Sequence, residues 1–415
     1  MPPRASLSAF LASAKSALAA STTTTTKQKL TFVVGNESAG EYTCYAVPEF
    51  SSVIRNTNRP LQDLDSLCSA LLLAYLRTYT PPHTLHIPLC HLARDDLSLR
   101  PEFAEVLRQT AASPDDVLTL DDLPAVVDDD DARWLLVDHN CLTGRLARFN
   151  GDSVVGCVDH HADEGRVPRG AEPRVLEHSG SCASLVVDYG RAAWDELRSS
   201  SADREVDAQL AKLALAPIVI DTTNLEAETK TTAFDVEAVR YLEGEVLKGV
   251  SSFDRTAYFS ALARLKGDIS PLSLRDVLRK DYKEWDEGGL KLGTSSAPAS
   301  MADLRRKAGG VAELVDAAEA WGDERGLDLA AVMTAFKPAG GDFGRELMLL
   351  ARSPKGVEAA GRFEKEHEGK LELRGWERGE LDCVEEGAWR KCWSQGRVEN
   401  SRKQVAPMLR QAMDS

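Results

Sequence analysis

The stretch that most narrows what this chain can fold into is 154–161, Val-Val-Gly-Cys-Val-Asp-His-His. A short, continuously apolar run breaks off into an acid and two adjacent histidines. The pattern recurs at 134–138 (Trp-Leu-Leu-Val-Asp) and, with an amide in place of the acid, at 30–36 (Leu-Thr-Phe-Val-Val-Gly-Asn). Apolar runs without polar alternation read as strands buried on both faces, which is the condition of a parallel sheet covered by helices. Helical segments at 63–76 and 102–108 separate these runs, as strand–helix alternation requires. Parallel strands end on one edge of their sheet, and ligands gather there.

The chain is therefore expected to be α/β over 28–250, a mainly parallel sheet with helices on both faces. The 415 residues exceed what one core usually supports, so a second domain is expected over 251–415. There the charge density rises, clear strands thin out and 288–296 is glycine-rich. An amphipathic helical region over 301–321 and strands near 330–336 and 346–351 make this second domain α+β. Residues 1–27 read as a helix over 7–18 and a flexible Ser/Thr tract. The active site is expected in the cleft between the domains.

Net charge is −15, from 50 Lys+Arg against 65 Asp+Glu. Such a field excludes nucleic acid and anionic membrane surfaces as partners, because phosphate affinity comes from Lys and Arg. It leaves room for a polyanionic substrate at a local basic cluster with metal ions. No apolar run approaches the ~20 residues that span a bilayer. The eight cysteines include no CxxC pair, which favours a reducing compartment and hence the cytoplasm. No acid precedes Glu37, so a mitochondrial leader is the alternative. The four acids at 128–131 read as a solvated loop.

Asp63, Asp65, Asp138, Asp159, His160, His161 and Asp221 all follow apolar runs or open helices. A single such Asp caps a turn more often than it binds a ligand. Several on one sheet edge would repel one another unless cations sat among them. Oxygen-rich ligation with imidazole suits Mg²⁺ or Mn²⁺, and a pair of such ions clamps phosphoryl chemistry.

Asp63-x-Asp65-Ser66, Asp138-His139, Asp159-His160-His161 and the later Asp221 resemble, in order, the motifs of the DHH phosphoesterase superfamily. Ser401-Arg402-Lys403-Gln404-Val405-x-Pro407 resembles the signature of the DHHA2 domain found in its second subfamily. The resemblance implies two divalent cations, with Asp63 on one, Asp65 on the other and Asp138 bridging both. His160 and Asp221 would complete the second ion's ligands, and Asp159 and Ser66 would support them from behind. It further implies that His161 contacts substrate and acts as donor or acid, while Lys283, Arg402 and Lys403 hold phosphate. Two cations would activate a water for in-line attack on a terminal phosphorus.

Within the subfamily, Gly35-Asn36-Glu37-Ser38 is similar to the exopolyphosphatase and prune branch, with Asn36 where the pyrophosphatase branch has a histidine. An amide oxygen there favours hard Mg²⁺. The resemblance implies removal of terminal phosphate from polyphosphate, in a monomer or weak oligomer. Short-chain pyrophosphatase, prune-like phosphodiesterase and catalytically weak scaffold are the alternatives. One interval departs from the pattern: Asp63 lies 27 residues after Asn36, where four are expected. Removing the 23 residues 40–62 restores the motif, so this segment reads as an insertion. Its ends permit codons with splice signals (GGT-GAG-TAC at 40–42, CAA-GAC at 62–63), which suits a translated intron; a genuine loop is the alternative.

Overall fold

The computed structural model describes residues 4–21, 29–36, 64–124, 131–200, 203–249, 253–338, 340–385 and 388–414. They form two compact units, divided between Lys266 and Gly267. Asp63 and the segment 40–62 lie outside the described residues.

The first unit contains, in chain order, α1 (Leu7–Ser21), β1 (Leu30–Gly35), α2 (Leu64–Tyr79), β2 (His86–Leu89), α3 (Pro101–Gln109), β3 (Ala132–Val137), β4 (Val154–Asp159) and β5 (Arg174–Leu176). The helices α4 (Cys182–Ser200), α5 (Arg204–Asp221), α6 (Ala233–Tyr241) and α7 (Arg255–Gly267) follow. The five strands are all parallel, in the order β2-β1-β3-β4-β5. Alternate side chains serve opposite faces. Val33, Leu135, Val137 and Val158 join the core built with α2, α4 and α5. Phe32, Val34, Trp134, Leu136 and Cys157 face Ala14 and Leu18 of α1 and the loop residues Leu118, Leu146 and Phe149. Every side chain of α2 from Leu64 to Leu76 is buried, which explains why that helix is apolar all round.

The N-terminal helix is part of this core. Leu7, Phe10 and Leu11 are fully buried, and the Phe10 ring meets Tyr75 edge-on with centroids 5.4 Å apart. Burying each such side chain stabilises by about 1.5–3 kcal/mol. Just before the helix, Arg4 pairs with Asp207 at 2.6 Å, and Asp207 also accepts from Trp194 Nε1 at 2.9 Å.

The second unit holds α8 (Leu274–Lys280), β6 (Tyr282–Glu287), β7 (Leu290–Ala297), α9 (Met301–Ala308), α10 (Val311–Arg325), β8 (Leu329–Thr334) and β9 (Glu346–Ala351). It continues with α11 (Pro354–Leu371), β10 (Leu373–Gly375), β11 (Cys383–Glu385), β12 (Ala388–Gln395) and α12 (Arg402–Met413). Its seven-stranded sheet runs β10-β12-β9-β8-β7-β6 with β11 on β12, and only β7 and β8 pair in parallel. The glycine-rich stretch is a hairpin: Gly288 and Gly289 turn it with φ of 58° and 75°, a backbone that suits residues without a Cβ. The helical region expected over 301–321 is two helices, because Gly309 ends α9 in the left-handed conformation, φ 99°. Among the described residues no helix is long and apolar enough to cross a membrane.

Candidate active site

In the first unit, Gly35 pairs with Val137 and Val137 with Val158, so β1, β3 and β4 end level. The residues that follow, Asn36, Asp138 and the Asp159-His160-His161 group, therefore share one edge of the sheet. Asp138 leaves its strand with φ 62°, a left-handed backbone that costs a non-glycine residue about 1–3 kcal/mol. Its N–H donates to the Val158 carbonyl at 3.0 Å, which holds the turn in place.

Each histidine is oriented by one ring nitrogen. The Nδ1 of His160 lies 2.9 Å from the Ser179 carbonyl, which can only accept, so Nδ1 carries the proton and Nε2 faces Asp138 Oδ1 at 3.0 Å. His161 Nδ1 lies 2.8 Å from Asp159 Oδ1, leaving Nε2 outward on a side chain that is 43% exposed. Asp159 itself is buried at the end of β4 and also accepts from Asn140 Nδ2 at 2.6 Å. Donor atoms of Asp138, His160 and His161 all lie within 4.8 Å of one another.

From the first turn of α2, Ser66 donates its hydroxyl proton to Asp138 Oδ2. Asp65 is buried and turned toward α4. Its carboxylate accepts from Ser181 Oγ at 2.8 Å and from the backbone N–H groups of Cys182 and Ala183 at 2.6 and 2.9 Å. It thus sits at the positive end of α4, where an acid is stabilised. Asp65 and Asp221 both lie outside the three-residue donor group. Asp221 is the last residue of α5 and is followed by Thr223, Asn224 and Leu225, all with positive φ of 52–69°. Such backbone strain clusters at functional sites.

In the second unit, Lys283 lies on β6 opposite Thr294. Arg402 opens α12 and donates from Nη1 to the Asp281 carbonyl at 2.9 Å, with Nη2 2.8 Å from the Asp281 carboxylate. The structure thereby brings Arg402 to the start of the strand that carries Lys283. Lys403 is exposed on the same first turn. Ser401 and Gln404 form a capping box around that turn, so these two signature residues build the helix start.

Residues 260–412 match the family described as "DHHA2 domain". A Schizosaccharomyces pombe protein named "Putative exopolyphosphatase" is 32% identical over 379 residues, covering 90% of this chain and 92% of its own. The chain belongs to the DHH phosphoesterase superfamily, in the branch that carries DHHA2. The Bos taurus protein "Exopolyphosphatase PRUNE1" is 28% identical over 85% of this chain and 74% of its own. An Archaeoglobus fulgidus protein, "Probable manganese-dependent inorganic pyrophosphatase", is 23% identical over 84% of this chain and 95% of its own.

The electrostatics of this DHH site fit a cation. Burial alone would lower the pKa of His160, yet its hydrogen bond to Asp138 and the added charge of Asp65 push it up to about 10. Burial would likewise raise that of Asp159, but bonds from His161 and Asn140 hold the carboxyl below its usual range. His161 is raised in turn, chiefly by its bond to Asp159. The field that holds a proton on His160 is one that would hold a divalent ion, and a carboxylate–imidazole donor set suits Mn²⁺ or Mg²⁺.

Two contributors escape sequence reasoning. Asn140 is buried and makes three bonds: to Asp159, to the Ala162 carbonyl at 3.0 Å, and from the Glu164 N–H at 2.9 Å. It clamps the loop that bears both histidines. Its signal was its place two residues after Asp138. Asp235 accepts from Gly180 N, Ser181 N and Ser184 Oγ at 2.6–3.2 Å, fixing the turn whose Ser179 carbonyl orients His160. No local pattern marks it.

Proposed function

We propose that this chain is a metal-dependent exopolyphosphatase that hydrolyses the terminal phosphoanhydride bond of inorganic polyphosphate and releases orthophosphate. The observation that carries this reading is the grouping of Asp138, His160 and His161 on the edge of a parallel sheet, in a chain of this family. In the reading, Asp63 would help hold one divalent cation and Asp65 the other, Asp138 would serve both, and His160 and Asp221 would complete the second set. Asn36 adds an amide oxygen at the same edge. Two Mg²⁺ or Mn²⁺ ions, when bound, neutralise phosphate charge and bring a water's pKa toward neutrality.

The protein's own groups do the rest. His160 is kept in one tautomer by Ser179, so its Nε2 is always presented to the site. His161, steered by Asp159 through Nδ1, turns Nε2 to a phosphate oxygen, and its bond to Asp159 favours the protonated ring that can donate there. Water oxygen bonds to the terminal phosphorus and gives up a proton to solvent, the bridging P–O bond breaks, and the shortened chain leaves with the electron pair. Lys283, Arg402 and Lys403 bind phosphate oxygens, the lysines as point charges and Arg402 through the guanidinium N–H groups that Asp281 leaves over. Asp159 and Ser66 hold their neighbours in register.

The test is phosphate release from pyrophosphate, tripolyphosphate and long-chain polyphosphate with Mg²⁺ or Mn²⁺. Release from long chains supports the reading. Turnover of pyrophosphate or cyclic nucleotides alone replaces it with the pyrophosphatase or prune-like phosphodiesterase reading, and metal binding without turnover with a scaffold. We place the protein in the cytoplasm as a monomer or weak oligomer. The seven cysteines among the described residues are all free thiols, which suits a reducing compartment. Fractionation into mitochondria would overturn that placement.

A further inference from the structure

Beside the site, the loops that leave β3 and β4 enclose a cavity of about 550 Å³. Asn140 and Phe149 line it from the first loop, Arg166, Val167 and Arg169 from the second. Asn140 is shared between the cavity and the site, since its amide also holds Asp159. Both guanidinium groups on the second loop are on exposed residues. A third, that of Arg148, is stacked 4.9 Å from the centroid of the Phe149 ring, a residue of the cavity wall.

The neighbouring arginines are neutralised: Arg174 pairs with Asp163 at 2.7 Å and Arg145 with Asp121 at 3.4 Å. Among the described residues Arg148, Arg166 and Arg169 have no such carboxylate partner, and Asp152 is the acid on the cavity wall. A chain with a net charge of −15 thus presents two arginines without a carboxylate partner among the described residues in one concave place, with Arg148 beside its Phe149 wall. Guanidinium forks match phosphate oxygens, and apolar surface beneath them reduces competition from water.

We propose that this cavity and its arginine rim form a subsite for the internal, non-reacting phosphates of a linear polyphosphate whose end lies at His161. The inference rests on the exopolyphosphatase reading and extends it: the subsite selects chain length. Pyrophosphate has no internal phosphate to place there, so its turnover is independent of these arginines. A long chain occupies both places, and the extra contacts lower its KM.

The test compares the full chain with Arg166→Ala/Arg169→Ala and Arg166→Lys/Arg169→Lys, using pyrophosphate, tripolyphosphate and long-chain polyphosphate. The alanine pair is expected to lose about tenfold in kcat/KM on the long chain, mainly through KM. Pyrophosphate turnover should stay within about twofold, and the lysine pair should recover part of the loss. The dependence of log KM on log salt for the long chain should weaken by roughly one unit of slope per arginine removed. Equal loss on all three substrates, or none on the long chain, overturns the subsite. If no substrate is turned over, the exopolyphosphatase reading fails by itself. Direct titration of long-chain polyphosphate onto wild type and the alanine pair then decides the subsite: unchanged affinity overturns it, and weakened affinity sustains it.

Discussion

Asn140 donates to Asp159 Oδ2 at 2.6 Å while the other oxygen of the same carboxylate holds His161 Nδ1 at 2.8 Å. The two bonds form a relay from a buried amide to the most exposed side chain of the donor group. Position is therefore transmitted from the loop after β3 to the loop after β4.

Asn140→Ala should break that relay. It leaves a buried carboxylate oxygen without its donor, at a cost of about 1–3 kcal/mol. The larger effect is on His161, because a misplacement near 1 Å reduces rate by about 100-fold. Steady-state kinetics on tripolyphosphate should show kcat falling with little change in KM. A fall in KM-dependent terms alone would count against the relay.

Asp138→Asn should remove the centre of the donor group. Mn²⁺ affinity, read by titration calorimetry, should drop by at least about 100-fold, the scale at which even outer ligand partners act. In the metal-free protein His160 should titrate near 10 by NMR, since Asp138 is the chief cause of its rise. In the variant it should fall well below that, because burial lowers it and only the weaker pull of Asp65 and the Ser179 bond is left to raise it. An unchanged His160 titration would refute the pairing.

His91 provides the pH dependence of stability. It is fully buried in the first unit, and burial, with His139 beside it, pushes its pKa down to about 3. The folded state keeps it neutral, whereas the unfolded chain binds a proton below about 6.5. Its contribution is thus complete above that value and is lost as pH falls from about 6.5 toward 3, at ~1.4 kcal/mol per unit. Urea denaturation of His91→Gln should show a stability loss between pH 7 and pH 5 smaller than wild type's by about 2 kcal/mol. Identical slopes would exclude His91 as the source.

Deleting 40–62 should raise activity, because it restores the short spacing between Asn36 and Asp63 that the family pattern has. Loop closure entropy grows slowly with length, so the insertion is tolerable for folding. Catalysis is less tolerant of displaced ligands. Parallel assays of both chains check this, and equal or lower activity in the deletion counts against it. A peptide spanning 40–62 in cellular protein would sink the intron origin.

The edge of the first sheet was legible residue by residue. The runs before Asp138 and Asp159 are apolar without alternation because both faces of β3 and β4 are covered, and that burial leaves its mark in local sequence. The polar strand β6, Tyr-Lys-Glu-Trp-Asp-Glu, was not legible. It lies at the end of the second sheet, where one side is solvated and charges are tolerated. The break at Gly309 was similarly masked, because the apolar period continues through it from α9 into α10.

By itself, then, the sequence determined the strand ends, the identity of the Asp-His-His group and the basic signature at Arg402–Lys403, since each is written within a few adjacent residues. Only the tertiary structure decided that Asp65 caps α4, that Asn140 braces Asp159, and that Arg402 reaches Asp281. These contacts join residues 117, 19 and 121 positions apart in the chain. A carboxylate's partner is chosen by which donors the packed core leaves within reach, and no local pattern of side chains specifies that.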